Sequence, residues 1–263
     1  MTEAVRLLVR ADDAGSSWAS NVGCLRSCSE GIARSVEVMM PCAWVEHAAQ
    51  LFNRNPKIDV GVHLTLTSEW DAVKWRPLTY APSLTDRGSS FRPLLLPRLG
   101  DNRPNLLESN WCFDEIVKEF RAQIELGIAM FDNVTHVSAH MVKHFADFDA
   151  RVGVLVEELC QEFGLIDDPL GHGLQRIEGY PKYPLDTRHR TRAFVDSLKE
   201  LTTGTYIFID HPAVENAELR DTGHSGYDDV LEDRTGCLQT LICEELRREI
   251  SALNIELIGY KDL

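Results

Sequence analysis

Two adjacent carboxylates, Asp12 and Asp13, stand where an apolar run of the chain ends and a turn begins. Residues 5–9 predict a short buried strand, and Gly15 follows the two acids. Neighbouring strand residues point to opposite faces, but where the chain turns both acids can approach one pocket. Two acids in different environments suit a hydrolase, because one can hold a metal while the other takes a proton. A turn with a helix cap is the alternative interpretation.

Three histidines fall at or near the carboxyl ends of further predicted strands: His63 (58–64), His140 (135–140) and His211 (205–210). In a β/α barrel these ends share one face, where active sites lie. A single histidine there is typical of a structural residue, whereas three beside the two acids favour a site. Two neutral imidazoles and one carboxylate form a catalytic zinc set, in which bound water becomes a nucleophile. Since no G-x-S-x-G or P-loop occurs, a Ser or Cys nucleophile is disfavoured.

Two more histidines are candidates for the pocket. His144 lies four residues after His140, and on a helix the two could bind one metal. Ser138, Ala139 and the β-branched residues before them favour a strand up to His140 and a loop afterwards. We therefore expect His140 to bind the metal and His144 to lie at the rim. His224 is in a polar loop after the last of these strands, where it could line the pocket.

The elements that must position these residues alternate between strands and helices. The clearest helix is predicted at 114–131, because apolar residues recur there every four positions. Other helices are predicted at 16–30, 44–52, 148–163 and 190–201, with one last helix ending near 253, and other strands at 35–40, 174–177 and 255–258. This order is typical of a parallel sheet with helices outside. We expect an α/β fold, a (β/α) barrel that is complete or incomplete, in a single domain over residues 1–263.

Residues 67–112 interrupt this alternation. Five prolines break every period there, and five aromatic residues, including Trp70 and Trp75, are concentrated in the same stretch. A loop of this length is usually functional or disordered, and the aromatic content argues against disorder. We expect an ordered excursion over one end of the fold, either as a lid that contacts substrate or as a packed flap.

The composition limits the class of partner. Acidic residues outnumber basic ones by 41 to 27, and the formal net charge is −14. Nucleic acids and anionic membranes are disfavoured by such a surface, so we expect a neutral or cationic small molecule. No run has membrane-spanning length or signal-peptide form, and the seven cysteines form no C-x-x-C pair. We expect a reduced, cytoplasmic protein.

These residues, in this order, resemble the YdjC-like family of carbohydrate deacetylases, which includes chitooligosaccharide deacetylases. The resemblance covers nearly the whole chain. The matching segments are Ala-Asp-Asp at 11–13 with Gly15 and Asn21, Val-Gly-Val-His-Leu at 60–64, residues 135–144 against Thr-His-x-Asp-Ser-His-x-His-x-His, His-Pro at 211–212, and Arg234 before the last helix.

The resemblance implies a β/α-barrel-like deacetylase fold and a divalent metal held by Asp13, His63 and His140. It also implies that Asp12 is the general base that activates water and that His211 is the general acid that protonates the leaving amine. The products would be a sugar with a free amine and acetate. Zn²⁺ is the metal that these ligand types favour, and Mg²⁺ is the alternative, with several waters completing its shell. The other candidate pocket residues are His144, His224 and Arg234.

This chain departs from the family pattern close to the expected site. Ser138 and Ala139 replace Asp-Ser, and Val142 replaces the middle histidine. An Asp at 138 could orient a ligand histidine, and Ser138 could do so only weakly. We expect the reaction to be kept, with an acetylated sugar or oligosaccharide as substrate. The alternatives are a hydrolase of esters or phosphodiesters, and a barrel that binds sugar or metal without catalysis. The oligomeric state is left open by the sequence, and a homodimer is one alternative.

Overall fold

The computed structural model describes residues 4–167, 173–183 and 186–263. The strands within these ranges are β1 Val5–Ala14, β2 Ser35–Val38, β3 Asp59–Leu64, β4 Val134–Ala139, β5 Ile166–Asp167, β6 Gln175–Arg176, β7 Gly204–Asp210 and β8 Glu256–Ile258. They form one sheet in the order β5-β4-β3-β2-β1-β7-β6, with β8 beside the first half of β1. All of these strand pairs are parallel.

Helices connect the strands and cover the outer face of the sheet. They are α1 Trp18–Ser29, α2 Val45–Phe52, α3 Phe113–Met130, α4 Ala150–Phe163, α5 Thr187–Lys199, α6 Ala217–Arg220, α7 Val230–Leu241 and α8 Glu244–Ala252. The sheet curls into a half-barrel, which confirms the predicted α/β, barrel-like fold. In the part of the chain that is described, no helix is both long enough and apolar enough to cross a bilayer.

The predicted elements differ from the observed ones in two places that matter. β1 continues beyond the apolar run and includes both acids, up to Ala14. The last helix is two helices, because Cys243 adopts an extended backbone (φ −63°, ψ 128°) between α7 and α8. This break interrupts the helical hydrogen bonds although the apolar spacing continues through it.

The sheet has two faces of different character, as strand alternation requires. On β1, Leu7, Val9 and Ala11 point outward and belong to the main apolar core beneath the helices. Residues of the opposite parity point into the half-barrel. Leu8 packs there with Ile207, Ile258 and Tyr260 in a small apolar cluster at the bottom. Above this cluster the inward residues are polar: Arg10, Asp12, Ser35, Glu37, His63, His136 and Ser138 are all buried.

Residues 67–112 form the predicted ordered excursion between β3 and α3. Apart from a 3₁₀ turn at Pro82–Leu84, isolated bridges hold it, such as the one between Thr67 and Arg92. Trp75 is buried, and its indole N–H donates to the carbonyl of Thr67 at 2.5 Å. Glu119 on α3 accepts hydrogen bonds from excursion backbone at 2.9 and 3.0 Å. Side-chain contacts of this kind replace the missing strand ladder.

Candidate active site

Asp13, His63 and His140 converge at the carboxyl edge of the sheet. Asp13 Oδ1 lies 3.4 Å from His140 Nδ1 and 3.8 Å from His63 Nε2. One donor atom from each of the three side chains lies within 4.8 Å of the other two, and all three side chains are buried. The group has the ligand types and the spacing of a divalent metal site with open positions.

A left-handed residue explains how two adjacent acids enter one cavity. Asp13 has a φ of 70°, and the pairing of β1 with β2 is irregular between Ala11 and Ala14. Strand alternation is therefore broken at Asp13, and its side chain turns toward the cavity that Asp12 also lines. Gly15, with a φ of 87°, continues the turn and donates its N–H to Asn21 Oδ1 at 2.6 Å. Non-glycine residues adopt this conformation rarely, and it is typical of functional sites.

The carboxylate of Asp13 has one satisfied oxygen and one orphaned oxygen. Oδ2 accepts a hydrogen bond from Arg234 at 2.7 Å. Oδ1 is buried and has no hydrogen-bond partner among the described residues. Burial by itself raises the pKa of Asp13, but Arg234, His211 and His140 together outweigh it and hold the pKa well below its usual range. An ionised oxygen that accepts no hydrogen bond and lies between two imidazole nitrogens fits a bound cation.

His63 is held by hydrogen bonds to polar residues of the sheet that lie below it. Its Nδ1 lies 2.7 Å from Ser138 Oγ, and Ser138 in turn donates to the buried carboxylate of Glu37. Burial and the neighbouring His140 hold the pKa of His63 well below that of an ordinary histidine. The ring is therefore neutral, which is the form that binds a metal.

His140 is held in place by a residue of the excursion. Its Nε2 lies 3.1 Å from Glu69 Oε2, while its Nδ1 faces Asp13. Burial lowers the pKa of His140, but the carboxylates of Glu69 and Asp13 outweigh this effect and raise the pKa to about 10. The two carboxylates thus favour a cation at His140, whether a proton or a metal.

The predicted base and acid both line the same cavity. Arg10 binds both oxygens of Asp12, at 2.7 and 2.8 Å, and so fixes the orientation of that carboxylate. The side chain of His211 is 42% exposed, and its Nδ1 is 3.9 Å from Asp210 Oδ1. Partial desolvation of the ring inside the cavity lowers the pKa of His211, but the carboxylates of Asp13 and Asp210 outweigh this effect, and the pKa is raised above the ordinary value.

The cavity over these residues has a volume of about 710 Å³. Its lining includes five Arg or Lys side chains and four Asp or Glu side chains, although the chain carries a formal net charge of −14. The excursion contributes Glu69, Trp70, Leu96 and Arg98 to this lining. It therefore forms one wall of the cavity, while two of its other aromatic residues, Trp75 and Phe91, are packed in the core.

The three additional candidate residues have different positions. His224 lines the cavity and stacks on Trp70, with ring centroids 5.8 Å apart. Arg234 also lines it and lies over the same indole ring, 5.1 Å from its centroid. His144 is not among the described residues that line the cavity. Its Nδ1 accepts from the N–H of Ala146, and its Nε2 is 3.4 Å from Asp167 Oδ2, both structural contacts.

Three buried charged residues of the site were not predicted from the sequence, namely Arg10, Glu37 and Glu69. Arg10 and Glu37 carry a signal, because each is a charged residue flanked on both sides by apolar residues of its strand. Charges in such positions are buried and require a partner. Glu69 carried none, since it lies in a stretch without any period.

Comparison with known proteins gives the family. Residues 6–252 match the family described as YdjC-like protein. Because this match spans most of the chain, the protein belongs to the YdjC-like family, as its motifs predicted.

Curated relatives of the chain are named as deacetylases. The carbohydrate deacetylase of Clostridium beijerinckii is 28% identical over 276 residues, which cover 98% of this chain and 100% of the relative. The chitooligosaccharide deacetylase of Yersinia enterocolitica is 34% identical over 160 residues, which cover 60% of this chain and 57% of the relative. These names agree with the predicted class, a hydrolase of carbon–nitrogen bonds.

A solved structure shares the fold. It is the crystal structure of a protein from Enterococcus faecalis V583, described as a candidate cellobiose-phosphate cleavage protein. The TM-score is 0.78, each chain is covered to 98%, and 18% of residues are identical. At this identity the likeness supports the fold alone.

Proposed function

We propose that this protein is a metal-dependent deacetylase that hydrolyses the acetamido group of an N-acetylated sugar or oligosaccharide. The observation that carries the proposal is the orphaned Oδ1 of Asp13, ionised and placed between His63 and His140. These three residues would hold the metal. The family membership and the names of the curated relatives support the same reaction.

The remaining residues of the cavity can supply the proton transfers. A divalent metal, when bound, would act as a Lewis acid toward the amide carbonyl and the attacking water. Asp12 would accept the proton of that water, with Arg10 keeping both carboxylate oxygens oriented. His211, whose raised pKa favours its protonated form, would donate a proton to the nitrogen as the carbon–nitrogen bond breaks. The products are acetate and a sugar amine.

The charge of the cavity refines the expected substrate. Arg98, Lys143 and Arg176 line it and are exposed, whereas Asp147 is the one exposed carboxylate among the described residues of that lining. An acidic chain was expected to prefer neutral or cationic substrates, but this entrance favours an acetylated sugar that carries a negative group. Neutral and anionic N-acetylated sugars belong in the same substrate panel for this reason.

The first experiment is to measure metal content and acetate release together. Wild-type protein, His140→Ala and the control His224→Ala are purified, their metal is determined by mass spectrometry, and acetate is assayed with Zn²⁺ or Mg²⁺ restored. We expect near-stoichiometric metal in wild type and in His224→Ala, and loss of metal in His140→Ala. Acetate release should follow the metal, because both depend on the same three ligands.

Two other outcomes of this experiment would contradict the proposal. Metal binding without acetate release from any sugar would overturn the deacetylase proposal and direct the search to ester or phosphodiester substrates, or to a binding role. A wild type without metal affinity would mean that the three buried side chains serve only the fold.

A further inference from the structure

The inward face of β2, β3 and β4 carries a line of polar side chains below His63. The parallel register pairs Glu37 with Gly61 and Gly61 with His136, and one step further it pairs His63 with Ser138. All of these residues point into the half-barrel. Glu37 is 0% exposed, so its carboxylate has no access to water and must be satisfied by its neighbours.

Gly61 makes this line possible. A Cβ on Gly61 would overlap both Glu37 Oε2 and His136 Nε2. Because β3 has no side chain there, the carboxylate of β2 crosses the strand and reaches residues of β4. It contacts His136 at 2.5 Å through Oε1 and accepts a hydrogen bond from Ser138 through Oε2.

Counting donors and acceptors then determines which ring nitrogen of His63 carries the proton. A carboxylate only accepts, and a serine hydroxyl has one proton to give. Since Ser138 donates that proton to Glu37, its oxygen must accept from Nδ1–H of His63, 2.7 Å away. The second nitrogen, Nε2, is left with its lone pair directed toward Asp13.

We propose that Glu37 is a positioning residue that acts through Ser138 to hold His63 in its Nδ1–H tautomer, with Nε2 free to bind the metal. The proposal rests on the proposed function, because it concerns a metal ligand. Glu37 thereby supplies, from β2, the carboxylate that the family pattern places at position 138. Ligand histidines commonly donate their other ring N–H to such a partner.

A structural role alone is the competing explanation. Glu37 also lies 3.2 Å from Ser35 Oγ and 3.9 Å from Arg10 Nε, and its partner His136 stacks on Tyr260 with ring centroids 3.4 Å apart. Removing the Glu37 side chain is therefore expected to destabilise the folded protein, whatever its role at the metal site. The test must change the link to His63 while leaving the contact with His136 in place.

Two single variants break the link in different ways. Ser138→Ala removes the hydroxyl and leaves Glu37 with His136. Glu37→Gln keeps the shape, and its amide oxygen can face His136, so its NH₂ group faces Ser138. The hydroxyl of Ser138 must then donate to His63 Nδ1, which moves the ring proton to Nε2. A double variant, Glu37→Gln with Ser138→Asp, restores a carboxylate that accepts directly from Nδ1–H.

The measurements are the tautomer of His63 in metal-free protein, by ¹H–¹⁵N NMR of the imidazole, and Zn²⁺ affinity by competition with a chelator. We expect protonation at Nδ1 in wild type and in the double variant, and at Nε2 in Glu37→Gln. We expect Zn²⁺ affinity to fall about 10- to 100-fold in both single variants, and to recover in the double variant. Ser35→Ala is the matched control, since it removes a hydrogen bond to Glu37 outside the link and should leave affinity unchanged.

The outcomes separate this proposal from the proposed function. Unchanged tautomer and unchanged Zn²⁺ affinity in Glu37→Gln and Ser138→Ala would overturn the positioning role, as would an equal loss of affinity in Ser35→Ala. A wild type that binds no Zn²⁺ would overturn the proposed function, while the tautomer measurement would still decide the link. If Glu37→Gln does not fold, Ser138→Ala carries the same test.

Discussion

The cavity has two sides that are built differently. We call the inward residues of β1–β4, together with His140 and His211 at the ends of β4 and β7, the sheet floor, and residues 67–112 together with 212–229 the loop wall. The floor holds the three candidate ligands on paired strands and at their ends. The wall contains no strand ladder: besides the short helix α6 and the 3₁₀ turn at Pro82–Leu84, it is linked by isolated bridges such as Thr67 with Arg92 and His224 with Tyr227. We infer that the hydrogen bonds between the strands fix the positions of the reacting groups, whereas the loops determine the shape and charge of the substrate site.

The largest effect should come from the base on the floor. Asp12→Asn is expected to lower kcat by about 10²- to 10⁴-fold, the range for loss of a general base, while metal content stays that of wild type. Single-turnover acetate release with metal analysis measures both. Asp147→Asn, at the cavity entrance, is the matched control and should change kcat by less than about 3-fold. Full activity in Asp12→Asn would move the base to another residue.

The floor should also be sensitive to one added methyl group. Gly61→Ala is expected to destabilise the protein by about 1–3 kcal/mol, because the new Cβ overlaps Glu37 and His136 in a packed interior. Urea unfolding followed by circular dichroism measures the change. Gly88→Ala is the control, since its nearest neighbour is Asp86 Oδ1 at 3.2 Å on an exposed loop. Equal effects of the two substitutions would show that the floor is no more tightly packed than the wall.

Glu69 tests where the wall joins the floor. Glu69→Gln removes the charge beside His140 Nε2 and is expected to weaken Zn²⁺ binding by about 10-fold. Glu108→Gln, on the same excursion, serves as the control, because the Glu108 carboxylate accepts a hydrogen bond from Asn105 and does not line the cavity as the described residues form it. An unchanged Zn²⁺ affinity in Glu69→Gln would mean that the excursion shapes the cavity without supporting the ligands.

The wall by itself should affect substrate binding. His224→Ala removes a ring that stacks on Trp70 and lines the cavity. We expect KM to rise about 2- to 10-fold, which corresponds to the free energy of one lost aromatic contact, with kcat and metal content unchanged. A fall in kcat of similar size, with KM constant, would place His224 in the chemistry and blur the division between the two sides.

The smallest effect concerns His144, which lies outside both sides. The Asp167 carboxylate, 3.4 Å from His144 Nε2, raises the pKa of that histidine above 6.5 although burial lowers it. A histidine with a higher pKa in the folded protein adds stability that is fully present below pH 6.5 and is lost as the pH rises through the folded value. We expect the free energy of unfolding to decline slightly above pH 6.5 in wild type, and to decline less in His144→Gln. Identical pH profiles would mean that the pair with Asp167 does not form in solution.

Much of the floor could be predicted from the sequence, for a physical reason. Parallel strands with helices between them bring their carboxyl ends to one edge, so Asp13, His63 and His140 could be placed together before any coordinates were known. The left-handed backbone that turns Asp13 into the cavity could not be predicted, because Asp-Asp-Ala-Gly is equally typical of an ordinary turn.

The wall could not be predicted in the same way. Its residues are positioned by side-chain contacts such as Trp75 with Thr67, which leave no period in the sequence. His144 shows the limit of spacing arguments, since it lies four residues from His140 and yet pairs with β5. The pattern around Glu37 predicts a strand and no more, because its proposed role depends on Gly61, which lies one strand away.

The ion pair between Arg234 and Asp13 has a consequence for biosynthesis. The two residues are 221 positions apart, and β1 also pairs with β7 and β8, which come late in the chain. At ribosomal rates, roughly 10–40 s separate the emergence of these partners. During that interval Asp13 lacks the cation that keeps it ionised in the interior. Nascent chains are therefore expected to hold β1 unpaired on one edge until translation is nearly finished, a period in which chaperones or early metal capture would decide the yield of folded protein.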